Sequence, residues 1–151
     1  MKGRKKMKVK DCMCQEVYWC NPNSTVKDCV TMMNDNHVGC IPVCDDTKNV
    51  VGLVTDRDIV LRTIACNKDV NTTPISEIMT TKVWCCTPDT DVQEAENLMS
   101  QNQVRRIPVV DNNKIVGMLT LGDLAANENC CNQKLNDTMN NICGCDEKNA
   151  E

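Results

Sequence analysis

Phenylalanine is missing from this 151-residue chain, and Tyr18, Trp19 and Trp84 are its only aromatic residues. A core without large rings must be filled by Val, Ile, Leu, Met and Cys. No apolar run approaches the ~18 residues of a membrane span, and no signal-peptide segment follows the basic start, so a cytoplasmic protein with no membrane contact is expected. Basic residues become scarce after the first ten positions, MKGRKKMKVK, which hold six of the 17. The remaining body is strongly acidic and should repel nucleic acid. Residues 1–8 are expected to be a solvated basic tail. The chain also lacks G-x-x-x-x-G-K-[ST], G-x-S-x-G, H-E-x-x-H and the dinucleotide-binding G-x-G-x-x-G. One histidine, His37, stands alone with no acid or nucleophile tied to it by spacing. No route to catalysis is visible, and a non-enzyme is expected.

Cysteine, by contrast, is abundant, with 13 residues. In a reducing compartment these read as thiols, and an odd number does not pair completely. Cys12-x-Cys14, Cys85-Cys86, Cys130-Cys131 and Cys143-x-Cys145 lack the paired C-x-x-C spacing of a zinc site. Cys29, Cys40, Cys44, Cys85 and Cys86 stand where a small hydrophobe would serve, so no metal is expected.

The chain repeats itself. With a shift of 66, Met13 falls on Met79, Val17 on Val83, Cys20 on Cys86, Pro22 on Pro88, Val26 on Val92, Met33 on Met99, and Ile41-Pro42-Val43 on Ile107-Pro108-Val109. After one deletion the shift is 65, and Gly52, Thr55 and Asp58 meet Gly117, Thr120 and Asp123. Each copy has a short turn ending in Met (VKDCM, ISEIM), an extended segment (VYWC, VWCC), a capped helix, two short strands and a second helix. Ser24 and Thr90 are the expected caps of the first helices. Val26, Cys29, Val30 and Met33, and then Val92, Ala95, Leu98 and Met99, form the apolar stripes of those helices. The second helix is expected from Asp56 or Arg57, with Ile59, Val60, Leu61 and Ile64 on its buried side, and its counterpart near Gly122. The implied class is α/β (α+β), strand-helix-strand-strand-helix used twice about a pseudo-twofold axis. Each copy needs the other to cover its sheet. The expected organisation is a tail at 1–8, repeats at 9–70 and 71–127 forming one module, and an extension at 128–151.

This order, with "IPV" before a hairpin and "G-x-x-T-x-x-D" after it, resembles a cystathionine-beta-synthase (CBS) domain pair, or Bateman module, from about Val9 to Ala126. The resemblance implies a regulatory sensor that binds adenosine-containing ligands (AMP, ADP, ATP or S-adenosylmethionine) in clefts between the repeats. It also implies a homodimer and an unidentified regulated protein. Asp58 and Asp123 would hold ribose, with Thr55 and Thr120 beside them. Helix starts favour anions, and a carboxylate can accept two ribose hydroxyls. The same residues also suit plain helix caps. The resemblance further implies that Arg105 or Arg106 reaches the phosphate of a nucleotide held by the other repeat, since Arg is a permanent multiple donor. The first repeat has Gly39 and Cys40 at those positions, so the Asp123 site lacks the cation. Tyr18 and Trp84 occupy equivalent places where an adenine would lie, or are packing residues. Two rivals are a cysteine-based redox or metal sensor on this scaffold and a nucleotide hydrolase, which would need a metal–carboxylate constellation.

Overall fold

The computed structural model describes residues 6–126. The terminal extension, with Cys130-Cys131, Cys143-x-Cys145 and the KLNDTM echo of a repeat start, lies outside the described residues, as does most of the basic tail. The elements are a 3-10 turn (Val9–Asp11), α1 (Val26–Asn36), β1 (Cys40–Cys44), β2 (Val50–Thr55), α2 (Asp56–Ile59) running into a π-turn (Val60–Ile64), a 3-10 turn (Ile75–Glu77), α3 (Val92–Asn102), β3 (Arg106–Asp111), β4 (Lys114–Thr120) and α4 (Leu121–Ala126). The fold is the expected mixed class, with β1 paired to β2 and β3 to β4. The first strand of each repeat is reduced to one parallel bridge, Cys20 to Val43 and Cys86 to Val109.

Two compact units result, and they do not follow the sequence repeats. Among the described residues, one, the Asp58 unit, comprises Val17–Val83 and Asn112–Ile115; the other, the Asp123 unit, comprises 6–16, Trp84–Asp111 and 116–126. The turn that opens each repeat therefore packs with the helices and strands of the other copy. Val9 is fully buried in the cluster of Val92, Ala95, Met99, Ile107 and Leu119. Ile75 and Ile78 are buried in the cluster of Val26, Cys29, Ile41 and Val54.

The Met that ends each turn explains a glycine. A Cβ on Gly52 would stand 2.6 Å from Met79 Sδ and 3.1 Å from Thr80 O; one on Gly117 would stand 2.9 Å from both Cys14 O and Met13 Sδ. Backbone pairing locks these approaches. Leu53 N donates to Thr80 O and Thr80 N to Leu53 O, both at 2.9 Å, while Cys14 N donates to Met118 O at 2.9 Å and Met118 N to Cys14 O at 3.0 Å. Glycine is used here for close backbone approach.

α1 and α3 bury the expected Val26, Cys29 and Met33, and Val92, Ala95 and Met99. Their caps differ by one residue from the sequence reading. Thr25 caps α1, in a capping box with Asp28, and Asp91 caps α3 by accepting from Gln93 N at 3.1 Å. Thr90 instead accepts from Thr87 N at 3.0 Å, closing the turn before the helix. Each helix ends on a left-handed residue, His37 (φ 54) and Gln103 (φ 52), so His37 is a helix terminator. Between β1 and β2, Asp45 Oδ1 accepts from Thr47 Oγ1 at 2.7 Å, Thr47 N at 2.9 Å and Asn49 N at 3.0 Å. The Thr47 hydroxyl, with those backbone donors, holds the Asp45 carboxyl below its ordinary range.

The expected buried side of the second helix is largely wrong. Ile59 is buried, but Val60, Leu61 and Ile64 are 51%, 48% and 63% exposed. Ile59 and Thr63 face inward instead, at i, i+4. A run of four apolar residues does not say which face it presents, and the π-turn changes the spacing further.

Candidate functional site

In the Asp58 unit, β2 ends at Thr55 in an extended conformation and α2 starts at the next residue. Thr55 Oγ1 accepts from Asp58 N at 3.1 Å, and Asp58 Oδ2 accepts from Thr55 N at 3.0 Å. In the Asp123 unit, Thr120 Oγ1 accepts from Asp123 N and Asp123 Oδ2 from Thr120 N, both at 3.0 Å. Each T-x-x-D is thus a reciprocal capping box, which satisfies two backbone donors at the strand-to-helix junction. The box also fixes each carboxylate in orientation while employing only one of its oxygens.

The first helical N–H in each unit is tied back to the residue preceding the hairpin. Asp56 N donates to Gly39 O, and Leu121 N donates to Arg105 O, both at 3.0 Å. The diverged pair Gly39-Cys40 and Arg105-Arg106 is therefore anchored beside the start of its own second helix. The Arg105 side chain is exposed, and Arg106, the first residue of β3, is half-buried. Ile107 and Val109 belong to the core, so strand alternation puts Arg106 on the opposite face from them. Arg105, Arg106 and half-buried Trp84 belong to the same unit as Thr120 and Asp123, and half-buried Tyr18 belongs to the unit of Thr55 and Asp58.

Arg62 was not anticipated from the sequence. Its Nη1 donates to Ile78 O at 3.0 Å and Thr80 Oγ1 at 3.3 Å, and its Nε lies 3.9 Å from Asp58 Oδ1. The Asp58 side chain is 16% exposed. Arg62 therefore links the second carboxylate oxygen to the turn after Ile75–Glu77. Its i, i+4 spacing from Asp58 was the available signal. The same step from Asp123 reaches Asn127, outside the described residues.

Of the thiols, Cys20, Cys29, Cys44 and Cys86 are buried, while Cys14, Cys66 and Cys85 are exposed. Burial, with the neighbouring Cys85, pushes the Cys86 thiol up to about 12. Among the described residues no group of three or more His, Cys, Asp or Glu side chains is placed to hold a metal ion, and no helix is long and apolar enough to cross a membrane.

Two capping boxes, two hairpins and two exchanged turns define a paired-repeat module. The sequence pattern of the CBS domain matches residues 9–63 and 75–128, and the chain belongs to the CBS domain family. It is 40% identical over 134 residues to the CBS domain-containing protein YhcV of Bacillus subtilis, covering 89% of this chain and 94% of that one. Among solved structures it is similar to Hypoxic Response Protein I with two coordinated zinc ions, at 30% identity and a TM-score of 0.73, covering 79% of this chain and 97% of that one. It is similar too, at 26% identity and a TM-score of 0.73, to the CBS domain pair of protein MJ0100 in complex with 5'-methylthioadenosine and S-adenosyl-L-methionine, covering 80% of this chain and 94% of that one.

Proposed function

We propose that this CBS pair is a non-catalytic sensor of adenosine-containing ligands, AMP, ADP, ATP or S-adenosylmethionine, with Asp58 and Asp123 as ribose acceptors. The observation that carries the reading is the capping box. It presents a fixed, shielded carboxylate at each strand-to-helix junction and leaves one oxygen of each outside the box. A vicinal diol is the ligand group such an oxygen suits, and the CBS pair of MJ0100 holds two adenosyl compounds. Thr55 and Thr120 set the carboxylate angle. Arg105 or Arg106 is the proposed phosphate contact in the cleft of Asp58, while Gly39 and Cys40 leave the cleft of Asp123 to a less charged adenosyl ligand. Tyr18 and Trp84 are the proposed neighbours of the adenine. A homodimer through the second helix fits the exposed Val60, Leu61 and Ile64.

The test is calorimetry of the full chain with AMP, ADP, ATP, S-adenosylmethionine and adenosine. Asp58→Asn keeps an acceptor for Thr55 N but removes the charge. Charge-assisted bonds are worth about 1.5–3 kcal/mol, so AMP affinity should fall roughly 10- to 100-fold. Replacing Arg105 and Arg106 together by Ala should weaken AMP far more than adenosine. Failure of every adenosyl ligand to bind the parent protein would leave T-x-x-D as a cap alone. The zinc-bearing relative keeps a metal-sensing alternative in play. Stoichiometric zinc in protein purified without oxygen, lost together with folding, would favour that alternative.

A further inference from the structure

Arg62 closes a ring of bonds around the Asp58 carboxylate. Its Nη1 donates to Ile78 O at 3.0 Å and to Thr80 Oγ1 at 3.3 Å, and its Nε stands 3.9 Å from Asp58 Oδ1. Thr80 is in turn paired through its backbone with Leu53, two residues before Thr55 on β2, by two bonds of 2.9 Å. Asp58 Oδ2 accepts from Thr55 N at 3.0 Å and so returns the ring to that strand. Every member belongs to the Asp58 unit. A second strut, Lys68 Nζ to Glu77 Oε2 at 3.4 Å, ties the chain just past the π-turn to the 3-10 turn Ile75–Glu77.

The other copy keeps the capping box but not the residues of this brace. The counterpart of Thr80 is Cys14, which pairs with Met118 as Thr80 pairs with Leu53. Its sulfur donates to Glu16 O. The counterpart of Arg62 is Asn127, which carries no charge. Both ends of the brace have diverged together, while Thr120 and Asp123 are retained. An i, i+4 ion pair at this distance is weak by itself, chiefly because ordering a long side chain costs entropy. Here two hydrogen bonds to the turn already hold the guanidinium, so its place beside Asp58 costs little more. The Asp58 side chain, 16% exposed, is also largely shielded from solvent screening.

We propose that Arg62 is a positioning residue of the Asp58 site. It fixes the carboxylate whose Oδ2 lies in the capping box, and so presents Oδ1 at one angle to a ligand diol. Nε at 3.9 Å is beyond hydrogen-bond distance, so the charge orients Oδ1 without occupying it. An acceptor held in place before binding loses less freedom when the ligand arrives. Among the described residues, Asp123 is held by its box alone. The inference rests on the reading of Asp58 as a ribose acceptor, and it makes the Asp58 site the preorganised one of the two.

The test is amide hydrogen exchange of the isotope-labelled full chain, followed by NMR, with calorimetric titration of AMP beside it. Arg62→Met keeps the stem and removes the charge and the donors. Thr55 N–H should then exchange at least about fivefold faster, while Thr120 N–H, bonded to Asp123, keeps its rate. AMP affinity should fall about three- to tenfold. Thr80→Val, which leaves Asp58 and Arg62 themselves intact, should move both readouts the same way by a smaller factor and add nothing to Arg62→Met. Arg62→Lys, which keeps the charge, should recover part of both losses. Unchanged Thr55 exchange in Arg62→Met and Thr80→Val would overturn the proposal. Equal acceleration at Thr55 and Thr120 would do so too, since a general loss of stability acts on both copies. So would an AMP loss from Arg62→Met that is undiminished in an Asp58→Asn background, because Arg62 would then act on the ligand directly. A parent protein that binds no adenosyl ligand defeats the ribose reading, and the Thr55 amide, measured without ligand, still decides whether Arg62 holds the carboxylate.

Discussion

Gly117→Ala is the sharpest test of how the two copies are assembled. Neither Gly52 nor Gly117 adopts a left-handed backbone, so any cost arises from the added methyl itself. At Gly117 that methyl meets a backbone carbonyl, Cys14 O, at 2.9 Å. This carbonyl accepts from Met118 N at 3.0 Å, so moving it away also strains the pairing that holds the N-terminal turn. Overpacking costs about 1–3 kcal/mol and a strained hydrogen bond about 1 more, for a total of roughly 2–4 kcal/mol. For a chain of this size the expected fall in Tm is about 4–16 °C. At Gly52 the shortest contact is the movable end of Met79, at 2.6 Å, and the backbone oxygen of Thr80 is farther, at 3.1 Å. Gly52→Ala should therefore cost less, about 1–2 kcal/mol, and adding Met79→Ala should recover part of it. Calorimetric melts of the four proteins, with far-UV spectra to confirm the fold, decide the matter. A Gly117→Ala protein within about 0.5 kcal/mol of the parent would refute the close-approach argument.

Residues 1–70 and 71–151, expressed apart, should each fail to give a cooperative monomeric transition, because the cut takes Val9 from one core and Ile75 and Ile78 from the other; a sharp melt of either fragment contradicts this. Asp45→Ala should lower Tm at neutral pH. The folded-state pKa of Asp45 is depressed, so its contribution is present above the unfolded value and lost as pH falls through the folded one. The Tm gap between parent and variant should narrow in acid, and a gap that widens there counts against the hydrogen-bonded turn.

Much of the architecture was legible because duplication supplied its own alignment. Ile41-Pro42-Val43 and Ile107-Pro108-Val109 marked the strands entering each hairpin, and the i, i+3, i+7 spacing of Val26, Cys29 and Met33 gave the buried face of α1. The short strands VYWC and VWCC misled in part. Their β-branched and aromatic residues suit an extended chain, yet each contributes a single bridge. Unit membership was not legible, because nothing local in VKDCM says that Val9 packs with residues from Val92 onward. The inward face of the second helix was also hidden, since four apolar residues in six positions carry no unique phase. The repeated T-x-x-D singled out Thr55 with Asp58 and Thr120 with Asp123, and the structure joins each pair in a capping box. Arg62 was missed because its main partners, Ile78 O and Thr80, are distant in sequence.

The two copies have kept one set of residues in common and diverged in another. Met13 and Met79, Gly52 and Gly117, Thr55 with Asp58 and Thr120 with Asp123 are retained, and each makes a contact that closes a unit or caps a helix. The diverged positions carry charge or a thiol: Gly39-Cys40 against Arg105-Arg106, Asp56-Arg57 against Leu121-Gly122, and Cys29 against Ala95. Ala95 and Cys29 are equally buried, so packing alone does not require the difference. A fold that needed only symmetry would gain nothing from such changes. The proposed sensor, whose two clefts would receive ligands of different charge, gives the difference between Gly39-Cys40 and Arg105-Arg106 a purpose.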